Sequence, residues 1–325
     1  MTRKKIWIPD IPREQKQVVE LPTIGIEGRY YVDLIDSASG KIKQHLEFKN
    51  LITDAGLNLI GTGTSITASL TTLVVGVGST TPAVTDADLV SPIASTSFAG
   101  GFVDTFTTQT TPLEFAACKK TRLFLGTEAN AALTELGWKT GSVLVNRSLF
   151  KDAAGNPTTV NKTNTDLLRI VYEYRLFAPL NDVTGTAIFG EGSNSVVYTI
   201  RPQNVNQSPG WVDMLAHMGS YATPFARAHE EQIISSRTSN NDPSPSDDHT
   251  TSSFGTYTPG SFFRDMEYEW RPGDGNHAAG IGLVTWNPWY ASGQLGMWQM
   301  HLSESINKTE NNRLSITFRQ RWARV

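Results

Sequence analysis

The sequence predicts a mainly β protein of two related β-sandwich-like domains with short helices. Three observations carry this. "VNKTNTDLLRIVYEYR", Val160 to Arg175, returns as "INKTENNRLSITFRQR", Ile306 to Arg321, with six identities in sixteen. Apolar and polar residues alternate along the first of these segments, so that Leu168, Ile170, Tyr172 and Tyr174 share one face of a strand. The third is order: each half reads hairpin, capped helix, strand, polar Pro/Asp loop, strands and closing strand. Internal duplication accounts for all three. It divides the chain into an N-terminal arm (1–24), a first β domain (25–178) and a second, diverged one (179–325).

In the arm, Pro9, Pro12 and Pro22 exclude helix and favour an extended chain around the lone apolar cluster Ile6, Trp7 and Ile8. Such an arm is expected to dock Trp7 on a neighbouring subunit. "RYYVDLIDSASGKIKQHLEFKNLI" predicts a hairpin around a Ser-Gly turn. In "TDAGLNLIGTG", Asp54 is a candidate N-cap, Leu57 and Ile60 share a face, and Gly61 can end the helix. "LTTLVVGVG" is a β-branched strand and "STTPAVTDADL" a polar loop. Strands follow in "GGFVDTFTTQTTPLEF", "KKTRLFLG", "AALTELGW" and the closing segment.

The second half begins with strand material in "FGEGSNSVVYTIRP". "QSPGWVDMLAHMGS" is the clearest helix: Ser208 caps it, Pro209 fits its first turn, and Gly219 ends it. "EEQIISSRT" reads as a strand and "SNNDPSPSDDHTTSS" as a long polar loop. "SFFRDMEYEW", "AAGIGLVTW", "GQLGMWQMHLSES" and "RLSITFRQRW" complete the strands.

Composition narrows the function. Hydrophobic residues make up 39% and charged residues 18% of 325, with a net charge of −3, which gives nucleic-acid binding no support. One cysteine, Cys118, allows neither an internal disulfide nor a cysteine metal cluster. The six histidines fall in no metal-ligand spacing, no phosphate or dinucleotide loop is present, and the Gly-x-Ser-x-Gly nucleophile turn is absent. "TDADL" and "SDDH" lack the alternating pattern of a calcium loop. Neither a signal-peptide pattern nor a membrane-length apolar run is expected. Catalytic, cofactor and metal residues are therefore none. Six of the eight tryptophans lie in the second half, and "WNPWY" is dense in rings. Trp286, Trp289 and Tyr290, with Trp7, are the candidate interface residues. Buried, the same rings are sandwich core, the reading placed first; exposed, they could anchor a protein interface or stack on a sugar face.

Three segments carry a resemblance. "NLITDAGLNLI" (Asn50 to Ile60), "VGVGSTTPAVTD" (Val75 to Asp86) and "RSLFKDAAG" (Arg147 to Gly155) resemble motifs of structural proteins of tailed-bacteriophage virions, in the tail, baseplate and tail-fibre-attachment group. It spans roughly residues 48 to 177. The resemblance implies a non-enzymatic virion component, assembled in the host cytoplasm and partnered by tail-tube, baseplate or fibre proteins. It also implies a homo-oligomer, trimer or hexamer. A trimer is favoured if the two halves occupy equivalent sites on a six-fold surface. A receptor- or carbohydrate-binding tail protein contacting host surface glycan, and a head decoration or collar protein, are the alternatives.

Overall fold

The computed structural model describes residues 18–65, 70–109, 115–189, 195–203, 211, 224–230, 234, 236–237, 243, 246–287, 297–308, 310–311 and 313–325. The first half runs β1 (Val18–Glu20), β2 (Ile24–Asp36), β3 (Ile42–Lys49), β4 (Leu51–Ile52), α1 (Asp54–Gly61), β5 (Thr72–Gly76), β6 (Pro92–Thr96), β7 (Thr105–Gln109), β8 (Phe115–Phe124), β9 (Ala132–Leu133), β10 (Glu135–Thr140), β11 (Val143–Leu149), β12 (Val160–Asn161) and β13 (Asp166–Phe177). The second runs β14 (Val183–Ile188), β15 (Ser195–Pro202), β16 (Phe225–His229), β17 (Ser246–Asp248), β18 (Thr251–Phe254), β19 (Phe263–Trp270), β20 (Ile281–Asn287), β21 (Trp298–Ile306) and β22 (Leu314–Arg324). The protein is mainly β, as its alternating patterns predict.

A nine-stranded sheet, ordered β18-β19-β22-β2-β13-β8-β7 with β1 on β22 and β3 on β2, crosses both halves. Along β2, β13 and β22 the even-numbered residues point inward. Tyr30, Val32, Ile170, Tyr172, Ile316 and Phe318 are accordingly buried. Beneath it lie two further sheets, β4-β11-β10-β5-β6 in the first half and β14-β15-β21-β20-β16-β17 in the second. One ring contact in each half bridges the layers. Trp138 of β10 meets Tyr172 of β13 at 6.0 Å, and Trp286 of β20 stacks on Phe318 of β22 at 4.0 Å. The outward face of the large sheet is a lattice of ion pairs. Glu27 meets Arg29, Lys49 and Arg175; Glu173 meets Lys119 and Arg175; Asp33 meets Arg169 and His45; and Asp265 meets Arg319.

The two halves repeat one wiring. The orders β4-β11-β10-β5-β6 and β15-β21-β20-β16-β17 correspond strand by strand, as do β13-β8-β7 and β22-β19-β18. Register repeats too: Leu168 faces Phe124 as Leu314 faces Trp270. So does a buried lysine. Lys162 donates to the Leu125 carbonyl and the Asn130 side chain, and Lys308 to the Arg271 carbonyl and the Asn276 side chain. Each ammonium pins the turn that precedes the corresponding inner strand.

Strand direction fixes how the halves are related. β2 runs antiparallel to β13 and parallel to β22, so the two closing strands oppose each other. From them β8 and β7, and β19 and β18, step outward in opposite directions. Both halves bury the same side of the sheet. The relation is therefore an approximate two-fold axis normal to the sheet. Equivalent halves around a six-fold axis would instead follow one another head to tail. This geometry removes the reason for favouring a trimer.

Several local expectations change. Residues 1–17, with Trp7, lie outside the described residues, but the end of the expected arm belongs to the fold. β1 pairs with β22, Val19 and Leu21 are buried, and Glu20 pairs with Arg319 and Arg321. The N-cap of α1 is Thr53, whose side chain accepts from Gly56 N, and Asp54 is the first helical residue. Gly61 stays inside the helix, and Thr62 caps it. The clearest predicted helix lies outside the described residues except Trp211, which is helical and buried against Trp298. Glu230, Ile234, Ser236 and Arg237, the described part of "EEQIISSRT", are in no strand. The polar stretch after them, expected as a loop, contains β17 and β18. These are edge strands, held by backbone pairing and side-chain ties rather than by an apolar face. Asp248 pairs with Arg227, and Asp247 accepts from Gly275 N.

Candidate interaction surface

Arg147 of β11 gathers the three segments that carried the resemblance. Its guanidinium donates to Asp86 at 2.7 Å, to the Thr80 carbonyl at 3.0 Å and to Glu135 of β10 at 2.9 Å. Glu135 is fully buried, and its carboxylate also accepts from the backbone N–H groups of Gly78, Val90 and Ser91. Both ends of the 77–91 loop thus close on one carboxylate. A side chain at Gly78 would place its Cβ 2.4 Å from that carboxylate, so only glycine fits. The start of α1 joins the same corner: Thr53 donates to the Leu144 carbonyl, and Asp54 N to the Val84 carbonyl. A buried ion pair is costly to desolvate, and this one is compensated by its backbone donors.

From Asn50 to Cys118 the sequence holds no Lys, Arg or His. The described acids of this stretch are answered from elsewhere in the chain: Asp54 by Arg324, Asp86 by Arg147, Asp88 by Lys139 and Asp104 by Lys120. These pairs tie the stretch to β22, β11, β10 and β8. They also engage the carboxylates that a metal would need. Among the described residues no three His, Cys, Asp or Glu side chains converge as on a metal ion.

Four acids of the large sheet are held in their charged forms. Burial pushes the carboxyl pKa values of Glu27 and Glu173 up, but Arg29 and Lys49 around the first, and Arg175 and Lys119 around the second, bring both below the ordinary 4.5. His45 and Arg169 do the same for Asp33. Lys43 and Thr163 bring Asp166 down to about 2. A general acid at neutral pH needs the opposite shift. Burial pushes the Cys118 thiol up to about 12, which leaves it without nucleophilic thiolate.

Of the candidate interface residues, Trp7, Trp289 and Tyr290 lie outside the described residues. Trp286 is core: it is fully buried between Phe318 and Trp298 and offers nothing to a partner or a sugar. Among the described residues the exposed apolar side chains lie mostly in the first half. Phe98, Phe102, Val103 and Phe106 are 40–77% exposed on the segment leading into β7, and Val90 and Ile93 are exposed on and before β6. The Phe98 carbonyl accepts from Leu123 N and Phe106 pairs with Cys118, so this segment runs along β8 at the open side of the sandwich. The sequence signal for this surface is an uncharged strand flanked by phenylalanines. Glu135 had no such signal, because three of its partners are backbone groups.

No protein-family model, no curated protein and no solved structure matches this chain. No helix among the described residues is long and apolar enough to cross a membrane.

Proposed function

We propose that this chain is a non-enzymatic structural component of a tailed-bacteriophage virion, in the tail, baseplate or tail-fibre attachment, built by duplication of one β unit. The observation that carries it is the corner around Arg147. The three segments that resemble virion structural motifs are separate in sequence, yet they meet there as one bonded unit. Their residues shape a loop and a sheet edge rather than a catalytic cleft. Duplication is supported by the repeated strand order, the repeated register and the paired lysines. The stacked rings that a sugar-binding reading needs lose Trp286 to the core.

The test is genetic. A phage carrying a disrupted copy of this gene should release particles that lack a tail, baseplate or fibre by electron microscopy. Supplying the intact gene in trans should restore them. Normal, infectious particles from the disrupted gene would contradict the proposal.

A further inference from the structure

We propose that each half carries its own covalent cross-link, an isopeptide bond from Lys162 Nζ to the side-chain carbonyl carbon of Asn130, and its counterpart from Lys308 to Asn276. This does not rest on the virion reading.

The residues are those that divergence spared. The turn after β8 reads "LGTEANAA" (125–132) and the turn after β19 reads "RPGDGNHA" (271–278); only the asparagine and the last alanine are identical. In each, an acid stands two residues before the asparagine, Glu128 and Asp274. The residue between them is left-handed in both: Gly275 has φ 67°, and Ala129 has φ 54°, a conformation that alanine seldom adopts. The lysine follows at the same separation in sequence in both halves. Any long donor could pin a turn. An amine against a side-chain amide, kept twice, is also the pair that forms a new amide.

The geometry brings the reacting groups together. Lys162 and Lys308 are only 3% and 4% exposed. Their amines lie 3.0 Å from Asn130 Oδ1 and 2.9 Å from Asn276 Oδ1, one bond away from the carbonyl carbon. Asn130 Nδ2 donates to the Gly126 carbonyl, which fixes the plane of the amide. Burial pushes both amine pKa values below the ordinary 10.5, against the pull of Asp166 and Glu128 in the first half and of Asp274 and Asp247 in the second. That direction favours the neutral amine, the form with a lone pair to attack.

The step balances without any co-reactant. The neutral amine attacks Cγ, one proton passes from Nζ to Nδ2, the Cγ–Nδ2 bond breaks, and ammonia leaves. Asn130 is exposed and Asn276 half-buried, so ammonia has a way out. The product ties the end of β8 to the entry of β13, and the end of β19 to the entry of β22.

Mass spectrometry of the full chain tests this. The native protein should be lighter than its sequence by two ammonia molecules, Asn130→Ala by one, and the Asn130→Ala, Asn276→Ala double variant by none. Tryptic peptides of the native protein should include one in which Lys162 is linked to Asn130 and one in which Lys308 is linked to Asn276, with no cleavage after either lysine. Should a variant fail to fold by circular dichroism, the native peptide map decides alone. A native protein of full mass would overturn the proposal, and so would ammonia loss without linked peptides, which marks a succinimide. A bond found in one half only would overturn it for the other.

Discussion

Arg147 and Glu135 show how much one buried charge can organise. Glu135 is fully buried, so removing its cation leaves a carboxylate held by three backbone donors. Arg147→Met should destabilise the protein by about 3–5 kcal/mol, the usual result of breaking one side of a buried pair. Chemical denaturation measures it, and a loss under about 1 kcal/mol, the range of exposed pairs, would mean that water reaches the corner. The acids of the outward lattice set a second expectation. Glu27, Glu173 and Asp33 have folded-state pKa values below their ordinary 4.5 and 3.8. Their stabilisation is complete above those ordinary values and is lost as pH falls through the folded ones. Calorimetry should give a melting temperature that holds near neutral pH and drops progressively below pH 4.5. A melting temperature that rises on acidification would show that the lattice contributes nothing.

At the scale of the element, the closing strands were the most legible part of the chain. Their period of two places Ile170 and Ile316 inward, and both are buried. Changing either to Ala should cost about 2–5 kcal/mol, and near-neutral results at both would refute the register. Other elements escaped because their stability does not come from an apolar face. β17 and β18 are written in Ser, Asp and Thr, and they read as loop until Asp248 meets Arg227. β14, with a Thr-Gly-Thr centre, hides in the same way. β1 is three residues after a proline-rich stretch, and only its parallel partner β22 makes it a strand. Two truncations isolate it. A chain starting at Val18 keeps β1, and one starting at Pro22 loses Val18, Val19, Glu20 and Leu21. The second should be less stable than the first by about 1.5–3 kcal/mol per buried aliphatic side chain. Equal denaturation midpoints would place β1 outside the cooperative fold.

At the scale of the whole molecule, the repeat was visible in the sequence, but its geometry was not. Six identities in sixteen residues relate the two closing strands without revealing that they run in opposite directions. Direction is set by β2, which lies between the closing strands and pairs with both. The candidate surface was hidden for a related reason. Ring-rich "WNPWY" drew attention to the second half, while Trp286 went to the core, and the exposed rings proved to be isolated phenylalanines near β7. One shared sheet, ion-paired outside and ring-packed inside, makes one block of both halves. Such a block suits a particle that needs a fixed number of identical parts. Quantitative mass spectrometry of gradient-purified virions tests this most directly. Under the proposed virion role the protein should be present at a constant whole-number ratio to the tail proteins and should survive high-salt washing. Absence from the particles, or a ratio that drifts between preparations, would contradict it.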